Sequence, residues 1–369
     1  MVHIGIFPVM SGRQAGGPET YERELVRNLA RLDRETDYSV LCLTEVAAAA
    51  LRVENENFSF PILGRGPRVF DMMVSLPRQL RSRRIGFTHA AYISPPFSPV
   101  AHAFTLHCSS PFMRPNFFPP LIRARLKALI WRGMQSAGHV ICVSQNVLDL
   151  AAEHYGVPRE RMSVVYNGVS EHFRPIPAPI WKPVLEKAGV TGPYILYVGR
   201  FEPRKNMLRV IEAYDIFRRE VAPETRLVLA GRKTWQGDAV DQLVRKLDLA
   251  GHVVEIGHIP NEDLPAYYSG AEMFLFPSLR EGFGIPVIEA MACGTPVITS
   301  DISSLPEVAG GAAVLVDPHS VQDIARAMER LHGGGLLRDE LRAAGLKRAA
   351  AFSWRRTAEQ TLALYRQLA

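Results

Sequence analysis

The residues whose spacing is most suggestive of chemistry lie in the segment 281–294, EGFGIPVIEAMACG, which follows an apolar, strand-like run. Glu281 and Glu289 stand eight positions apart, the first in a glycine-rich turn and the second in the first turns of a predicted helix. Carboxylates so placed can bind hydroxyl groups at two ends of one ligand, one a hexose and the other a ribose. Gly282 and Gly284 leave backbone N–H groups open at the helix start, whose dipole favours a phosphate. The structural alternative is a buried crossover helix with one capping glutamate.

A second cluster consists of cations between a predicted strand and a predicted helix. The segment 198–206, VGRFEPRKN, carries Arg200, Arg204 and Lys205 ahead of the helix expected over 207–217. Arginine offers a planar fork of donors and lysine a point charge, which together suit a diphosphate. We therefore expect Arg200 and Lys205 to bind phosphate, and the alternative is a solvated basic loop.

Two features of the first half are weaker signals on their own. Gly16 and Gly17 lie in the loop before a helix that begins near Glu19, where glycines let a phosphate or sugar approach backbone amides. His107 ends an apolar strand, at the sheet edge where ligands bind in doubly wound folds. A flexible turn and a structural histidine are the corresponding alternatives.

Several other chemistries are disfavoured by what the sequence lacks. It has neither a GxGxxG nor a GKS/T fingerprint, which weakens a nicotinamide dehydrogenase and a P-loop enzyme. Four scattered cysteines without a CxxC pair disfavour a zinc site and disulfides, and fit a reducing cytosol. No DxD-type acidic pair is apparent, so we expect no metal in the site. The start, MVHIGIFPVM, is typical of a strand rather than a signal peptide, and no apolar run approaches the ~20 residues of a spanning helix.

Short apolar strands alternate with helical patterns along the whole chain, which is typical of βαβ units and parallel sheets. Strands are predicted over His3–Val9, Tyr38–Leu43, Ala103–Leu106, His139–Val143, Ser163–Tyr166, Tyr194–Val198, Arg226–Leu229, Val253–Ile256, Met273–Phe276, Pro296–Thr299 and Ala313–Val316. We predict an α/β fold of two doubly wound, Rossmann-like domains facing a central cleft. The predicted domains are 1–173 and 194–351, with a proline-rich linker at 174–193 and a terminal helix within 352–369.

Charge is distributed unevenly between the two halves. The net charge is +6, yet the first 185 residues hold 21 basic and 14 acidic residues, whereas the remainder is nearly balanced. The segments 121–135 and 75–86 carry four basic residues each and no acid. Such segments can rest on anionic lipid or receive a diphosphate acceptor, and the alternative is a solvated basic face. Without recognition motifs or interleaved aromatic residues, no nucleic-acid partner is expected.

With these residues in hand, the chain resembles the retaining glycosyltransferases of family 4, the group 1 transferases, and most of all their bacterial mannosyltransferase branch. The resemblance runs through GGPETYERELVRNLA, VICVSQNV, VVYNGV, YILYVGRFEPRKN, LAGRKTW, IGHIPNEDLPAYY and the long segment from FLFPSLREGFG to VLVDP. The spacing of Glu281 and Glu289 is the family's E-x7-E motif. The resemblance implies the GT-B fold, with the terminal helix crossing back onto the first domain.

The resemblance also implies a role for each matching position. The donor diphosphate would be bound by Arg200 and Lys205, and the donor-sugar hydroxyls by Glu281. His107 would contact the donor sugar near the reacting carbon, which completes the expected catalytic set. The other donor-binding positions that it implies are Gly16, Gly17, Gly231, Arg232, His258, Ile259, Phe283, Gly284, Ile285 and Glu289, with the ribose at Glu289 and the nucleobase near 231–232 and 258–259. Cys108 stands where many relatives have aspartate, so a charge is lost beside the expected acceptor site.

Together these features indicate transfer of a hexose, with retention at the anomeric carbon, from a nucleotide sugar to a saccharide or polyprenyl-diphosphate-linked saccharide in bacterial surface-polysaccharide synthesis. The branch resemblance favours GDP-mannose as the donor, with no further cofactor and no metal. We expect a cytoplasmic protein, with peripheral contact to the inner face of an anionic membrane through the basic first domain. The alternatives are a UDP-sugar-dependent transferase of the same fold, a sugar-nucleotide epimerase and a non-enzymatic anion-binding protein.

Overall fold

The computed structural model describes residues 2–13, 16–64, 66, 70–94, 98–107, 120–234 and 236–369. The chain divides into two compact units. The first unit consists of Met1–Gly168 together with Ser353–Ala369, and the second of Val169–Phe352. Each unit is built on one parallel sheet.

The sheet of the first unit has seven strands in the order β3-β2-β1-β4-β5-β6-β7. Its first strand lies between two parallel neighbours, with Ile6 paired with Val40 on one side and with His89 on the other. The strands are Ile4–Phe7 (β1), Tyr38–Val40 (β2), Phe58–Ser59 (β3), Phe87–Ala90 (β4), Ala101–Leu106 (β5), His139–Cys142 (β6) and Met162–Val164 (β7).

The sheet of the second unit has six parallel strands in the order β10-β9-β8-β11-β12-β13. Leu196 of its first strand pairs with Val228 on one side and with Phe274 on the other. The strands are Tyr194–Val198 (β8), Arg226–Ala230 (β9), Val253–Gly257 (β10), Met273–Phe276 (β11), Val297–Ser300 (β12) and Val314–Val316 (β13). Since helices cover parallel sheets on both faces, the central strands are buried throughout and read as unbroken apolar runs.

The α-helices connect these strands. In the described residues they cover Gly17–Leu32 (α1), Glu45–Leu51 (α2), Leu76–Ser82 (α3), Pro120–Ser136 (α4), Gln145–Tyr155 (α5), Ala178–Lys187 (α6), Met207–Glu220 (α7), Gly237–Lys246 (α8), Leu264–Gly270 (α9), Ile285–Ala292 (α10), Leu305–Ala309 (α11), Val321–Gly333 (α12), Gly335–Ala349 (α13) and Trp354–Leu368 (α14). A π-helical turn at Asp71–Ser75 leads into α3, and 3-10 turns cover Arg159–Arg161 and Pro203–Lys205. Across the described ranges, no helix is long and apolar enough to cross a membrane.

The structure differs from the sequence expectation in the proline-rich stretch 174–193. This stretch belongs to the second unit and contains α6, which packs against α9. The helix tolerates Pro177 at its N-cap and Pro179 in its first turn, where a missing N–H breaks no helical hydrogen bond, and it also includes Pro183 in its interior. The second unit accordingly begins at Val169 rather than at 194.

Two strands of the first sheet were not predicted from the sequence. Phe58–Ser59 is very short, and Phe87–Ala90 is interrupted by the buried polar residues Thr88 and His89. Thr88 donates to the carbonyl of Gly5 at 2.9 Å, so its hydroxyl is satisfied inside the sheet. A buried strand can therefore include hydrogen-bonded polar side chains, and these interrupt the apolar run by which such a strand is predicted.

The terminal helix α14 lies in the first unit and packs against α1. Ser353 caps it by accepting a hydrogen bond from the Arg356 amide at 3.2 Å, as a serine before a helix should. Inside the unit the Tyr365 hydroxyl lies 2.6 Å from His89 Nδ1. A side chain at Gly168 would collide with the backbone of Trp354, so glycine is required where the chain runs against this helix.

Candidate functional site

The site in the second unit lies at the carboxyl ends of the central strands β8 and β11. These strands are neighbours in the sheet, and the chain continues from β8 towards one edge and from β11 towards the other. In doubly wound folds such a switch point leaves a crevice in which ligands bind. The loops that follow the two strands contain the cationic segment 199–206 and the glycine-rich turn that begins at Glu281.

Asn206 joins the loops around this crevice. Its backbone is left-handed, with φ 62°, and its side-chain amide donates to the carbonyls of Pro277 at 2.9 Å and Pro318 at 2.7 Å. The Leu279 amide donates to the carbonyl of Arg204 at 2.8 Å. The loops after three different strands are thus tied together next to Lys205 in the chain, which fixes their positions.

Five ionised side chains form a continuous series across the crevice, which we name the charge chain: Arg200, Glu202, Arg204, Glu281 and Lys205. Glu202 contacts Arg200 at 3.2 Å and Arg204 at 2.9 Å. Glu281 accepts from both sides, with Lys205 Nζ at 2.7 Å and Arg204 Nη1 at 3.1 and 3.2 Å. The structure therefore brings together Lys205 and Glu281, which the sequence analysis selected separately. Three cations facing two carboxylates leave the series with one net positive charge, which suits an anionic ligand.

Burial is uneven along the charge chain. The side chain of Arg200 is 38% exposed and that of Arg204 is 20% exposed, whereas Lys205 and Glu281 are buried. Burial would raise the pKa of Glu281, but Lys205 and Arg204 outweigh it and hold the pKa of this carboxyl below its ordinary value. For Lys205, burial lowers the pKa while Glu281 opposes the change. Arg200 is the most exposed of the three cations.

The glycine-rich turn is built to hold Glu281 and the start of α10. The Ser303 hydroxyl donates to the Glu281 carbonyl at 2.6 Å and accepts from its amide at 3.1 Å. Gly284 is the N-cap of the helix with φ 108°, and a Cβ there would lie 2.8 Å from Leu305 Cδ2. Phe283 and Ile285, which were expected to offer amides to the ligand, have buried side chains that anchor the turn.

Glu289 is a buried carboxylate on α10. The Tyr268 hydroxyl donates to its Oε2 at 3.1 Å. Burial, followed by the charge of Glu289, raises the pKa of this phenol well above its ordinary value, so the phenol remains a donor. Glu289 is thus held in one orientation by its neighbour, as a carboxylate that binds ligand hydroxyls needs to be.

Gly231 and Arg232 lie against the start of the cationic loop. Gly231 has φ 142°, and a Cβ there would come within 2.0 Å of the Gly199 carbonyl oxygen, so glycine is required for this approach. The Phe201 amide donates to the Arg232 carbonyl at 3.1 Å. The other two residues expected near the nucleobase follow β10, where Ile259 is buried and His258 is exposed.

The first unit presents a second group of candidate residues at the carboxyl edge of its own sheet. Gly16 is the N-cap of α1, with φ 72°, and Gly17 is the first helical residue. His107 follows β5, and its Nε2 lies 2.7 Å from the carbonyl of Ala91. Its ring packs edge-on against Tyr21 of α1, with centroids 4.6 Å apart. Burial lowers the pKa of His107 to about 4, so the imidazole is neutral at pH 7. Cys108 lies outside the described residues.

Sequence reasoning missed Glu202, Asn206 and Glu22, and it named Arg204 only as one cation of the cluster, without a role of its own. Glu202 and Arg204 complete the charge chain, and their signal was only their presence between the two selected cations. Asn206 holds the loops, and Glu22 of α1 holds the loop after β1. In the described ranges, no group of three or more histidine, cysteine, aspartate or glutamate residues is placed to hold a metal ion.

Exposed apolar side chains lie on one of the two segments expected to meet a membrane, 121–135, and just before the other, 75–86. On α4, Leu121 is 83% and Trp131 50% exposed. Phe70, Met73 and Val74, which lie just before α3, are also exposed. Leu129 of α4 packs against the apolar cluster that contains Leu76 of α3, so both basic segments border one cluster within the first unit.

Comparisons with known proteins match both units. The family model "Glycosyl transferases group 1" matches residues 185–348, and "Glycosyltransferase Family 4" matches residues 15–173. The chain is 32% identical to O-antigen chain mannosyltransferase B of Escherichia coli over 72% of this chain and 70% of that protein. It is 33% identical to the serotype-specific mannosyltransferase WbdA of Escherichia coli over 61% of this chain, but it spans only 28% of that longer protein. Among solved structures, sucrose-phosphate synthase from Thermosynechococcus elongatus superposes with a TM-score of 0.79 at 22% identity, over 100% of this chain and 99% of the other.

Proposed function

Because the chain belongs to the group 1 glycosyltransferases of family 4 and has their GT-B fold, we propose that it transfers a hexose from a nucleotide sugar to a saccharide or lipid-linked saccharide acceptor in surface-polysaccharide synthesis. The charge chain is the observation that carries this proposal. It places a net positive charge and a fixed carboxylate in the crevice between β8 and β11. A nucleotide sugar needs both, since its diphosphate is anionic and its hexose presents hydroxyl groups.

In this proposal the cations stabilise the departing diphosphate. Arg200, the most exposed of them, meets the diphosphate first. Lys205 Nζ stabilises the negative charge that develops on the diphosphate as its bond to the sugar breaks. Stabilisation of developing charge by fixed donors is commonly the largest catalytic contribution, and losing one donor lowers the rate by about 10² to 10³. Glu281 remains oriented by Arg204 and accepts hydrogen bonds from the hexose. Glu289 accepts them from the ribose.

Retention at the anomeric carbon and independence from metal are further parts of the proposal. Three cations and the start of α10 supply positive charge where a metal would otherwise act. The reaction would proceed through an oxocarbenium-like transition state, with the departing phosphate assisting the acceptor hydroxyl. His107, neutral at pH 7, would contact the donor sugar near the reacting carbon.

The proposed donor is GDP-mannose. This choice is supported by the two relatives from Escherichia coli, whose names describe mannosyltransferases. The acceptor would be the growing saccharide on a lipid diphosphate. Peripheral contact with an anionic membrane, on its cytoplasmic face, is supported by the basic segments 121–135 and 75–86 and by the exposed apolar side chains on α4 and at 70–74.

Ligand-induced thermal stabilisation is the first test. The full chain is heated with GDP, UDP, ADP or NAD, first in EDTA and then with Mg²⁺. A ligand at a hundredfold excess over its Kd adds about 2.7 kcal/mol to the stability of the native state. We expect GDP alone to raise the midpoint, in EDTA as well as with Mg²⁺. A shift with UDP alone would overturn the mannose donor, and a shift that needs Mg²⁺ would overturn metal independence.

Turnover then separates transfer from other reactions. Wild-type protein is incubated with GDP-mannose, with and without membrane extract as a source of acceptor, and the anomeric configuration of the product is read by NMR. Appearance of a new sugar nucleotide without acceptor would favour an epimerase. Consumption that depends on acceptor and yields the α-anomer from the α-linked donor would support the proposal.

A further inference from the structure

Glu22 is a buried carboxylate on α1 that the proposed mechanism does not use. Its side chain is 1% exposed, yet it faces the loop that follows β1. Oε1 accepts from the amides of Val9 at 2.7 Å and Met10 at 3.0 Å. Oε2 accepts from Met10 at 3.0 Å and from both the amide and the hydroxyl of Ser11 at 2.7 Å. One carboxylate therefore gathers three consecutive backbone amides.

The neighbouring residue of the loop is held in the same way. The Gly12 amide donates to Oε1 of Glu19, one helical turn before Glu22, at 2.8 Å. Successive amides that converge on one point form an anion-binding concavity. Here the anions are the carboxylates of Glu22 and Glu19 themselves. These two side chains of α1 set the backbone path of residues 9–12. The same helix begins at Gly16 and Gly17, and its Tyr21 packs against His107.

Fold stability alone does not explain this arrangement. Burial raises the pKa of Glu22 to about 7 in spite of its hydrogen bonds, so the ionised form is disfavoured by its surroundings at neutral pH. A loop of this length can be closed by neutral turn residues instead. A buried carboxyl group with a shifted pKa at the carboxyl edge of a sheet, beside a glycine-rich helix start, is an arrangement typical of functional sites.

We propose that Glu22 is a positioning residue that fixes the loop Val9–Gly12 and thereby sets the placement of Gly16 and Gly17 for the donor. The inference rests on the proposed function, because it takes the nucleotide sugar as the ligand of these glycines. Glu22 acts through the loop and touches no substrate. Its removal should consequently weaken donor binding and leave the chemical step nearly intact.

The test compares Glu22→Gln with Glu24→Gln in the full chain. Glutamine keeps one acceptor oxygen, but its NH₂ group replaces the oxygen that accepts from Ser11. The amide and hydroxyl of Ser11 then lose their acceptor. Glu24 is a matched control, since it is buried on the same helix but pairs with Arg23 and Arg27 at 3.4 and 3.5 Å. Ser11→Ala serves as a milder second variant, because it removes one of the hydrogen bonds and leaves the carboxylate in place.

Two readouts are needed. Hydrogen exchange of the amides of residues 9–11 reports on the loop without any substrate. Initial rates with GDP-mannose report the donor KM and kcat. In Glu22→Gln we expect loop exchange about tenfold faster and a donor KM about tenfold higher, the equivalent of one buried hydrogen bond, with kcat changed less than threefold. Ser11→Ala should change both in the same direction by a smaller factor, and Glu24→Gln should match wild type.

The outcomes separate this inference from the proposed function. Unchanged loop exchange in Glu22→Gln would overturn the positioning role. Faster exchange with an unchanged donor KM would overturn the link to the donor. If Glu22→Gln does not fold, Ser11→Ala decides between the same outcomes. A wild-type chain that turns over no nucleotide sugar would refute the proposed function and the donor link, while loop exchange would still decide whether Glu22 holds the loop.

Discussion

Replacing Lys205 by alanine should separate the catalytic use of the charge chain from its contribution to stability. The ammonium group lies 2.7 Å from Glu281 Oε1 and 4.4 Å from the centre of the Phe276 ring. Its removal takes away the buried cation proposed to meet the leaving diphosphate. We expect kcat to fall by about 10² to 10³, as when one preorganised donor is removed from an active site.

The stability effect follows from what remains around Glu281. Breaking a buried pair typically costs about 3–5 kcal/mol, because one charge is left unpaired. In Lys205→Ala, however, Arg204 keeps its contacts at 3.1 and 3.2 Å to the same carboxylate. The expected loss is therefore nearer that of one charged hydrogen bond, about 1.5–3 kcal/mol. Glu281→Gln should destabilise the chain more, since it deprives two cations of one shared partner.

The assay pairs thermal unfolding with initial rates of transfer from GDP-mannose. A loss of about 2 kcal/mol corresponds to roughly 4–8 °C for a unit of this size. Lys187→Ala is the matched control, because Lys187 is exposed at the end of α6 in the same unit. Wild-type kcat in folded Lys205→Ala would refute the catalytic role. A midpoint lowered more in Lys205→Ala than in Glu281→Gln would refute the argument that Arg204 compensates.

Three further predictions concern single residues. Glu289→Gln should raise the donor KM about tenfold with little change in kcat, because a ribose hydroxyl loses a charged acceptor; an unchanged KM would remove this role. The folded pKa of His107, about 4, lies below its ordinary value of 6.5, so the stability it contributes is complete above pH 6.5 and is lost as the pH falls towards 4. Between pH 7.5 and pH 5, wild type should thus lose about 2 kcal/mol more than His107→Asn in chemical denaturation, and equal losses would contradict the shift. Gly231→Ala should destabilise the second unit by about 3 kcal/mol or more, since its Cβ would meet the Gly199 carbonyl, whereas Gly251→Ala, with open space around it, should leave the thermal midpoint within a degree or two.

The sequence predicted the two sheets and the family because those features depend on local patterns. Parallel strands buried on both faces read as apolar runs, and Met273–Phe276 is one of them. The glycines and charged residues that follow such strands lie at their carboxyl ends, where the structure places Arg200, Lys205 and Glu281. The roles of these residues remain predictions, whereas their proximity is now a structural fact.

Long-range pairing could not be predicted in the same way. Arg204 and Glu281 are 77 positions apart. No sequence periodicity indicates that Arg204 and Lys205 both bind the Glu281 carboxylate. Glu22 reads as one of several polar residues on an amphipathic helix, and only the fold shows that it faces a loop. The proline-rich stretch is typical of a linker because prolines resist regular structure, but Pro177 and Pro179 stand where a helix start tolerates proline, and the helix continues through Pro183.

The two units use carboxylates in related ways at their sheet edges. In the second unit, Glu202 and Glu281 hold three cations that would otherwise repel one another, so the cations stay close together before any phosphate arrives. In the first unit, Glu22 and Glu19 hold four loop amides that would otherwise point in different directions. Burying Glu22 works against folding, as its raised pKa shows, whereas the neighbouring cations lower the pKa of Glu281. The same burial keeps the groups fixed, so that a ligand meets an ordered site and less of its binding energy goes into ordering the protein. It follows that neutral substitutions at Glu22 or Glu202 can leave the fold stable and still weaken donor binding, which distinguishes a preorganised site from a merely charged one.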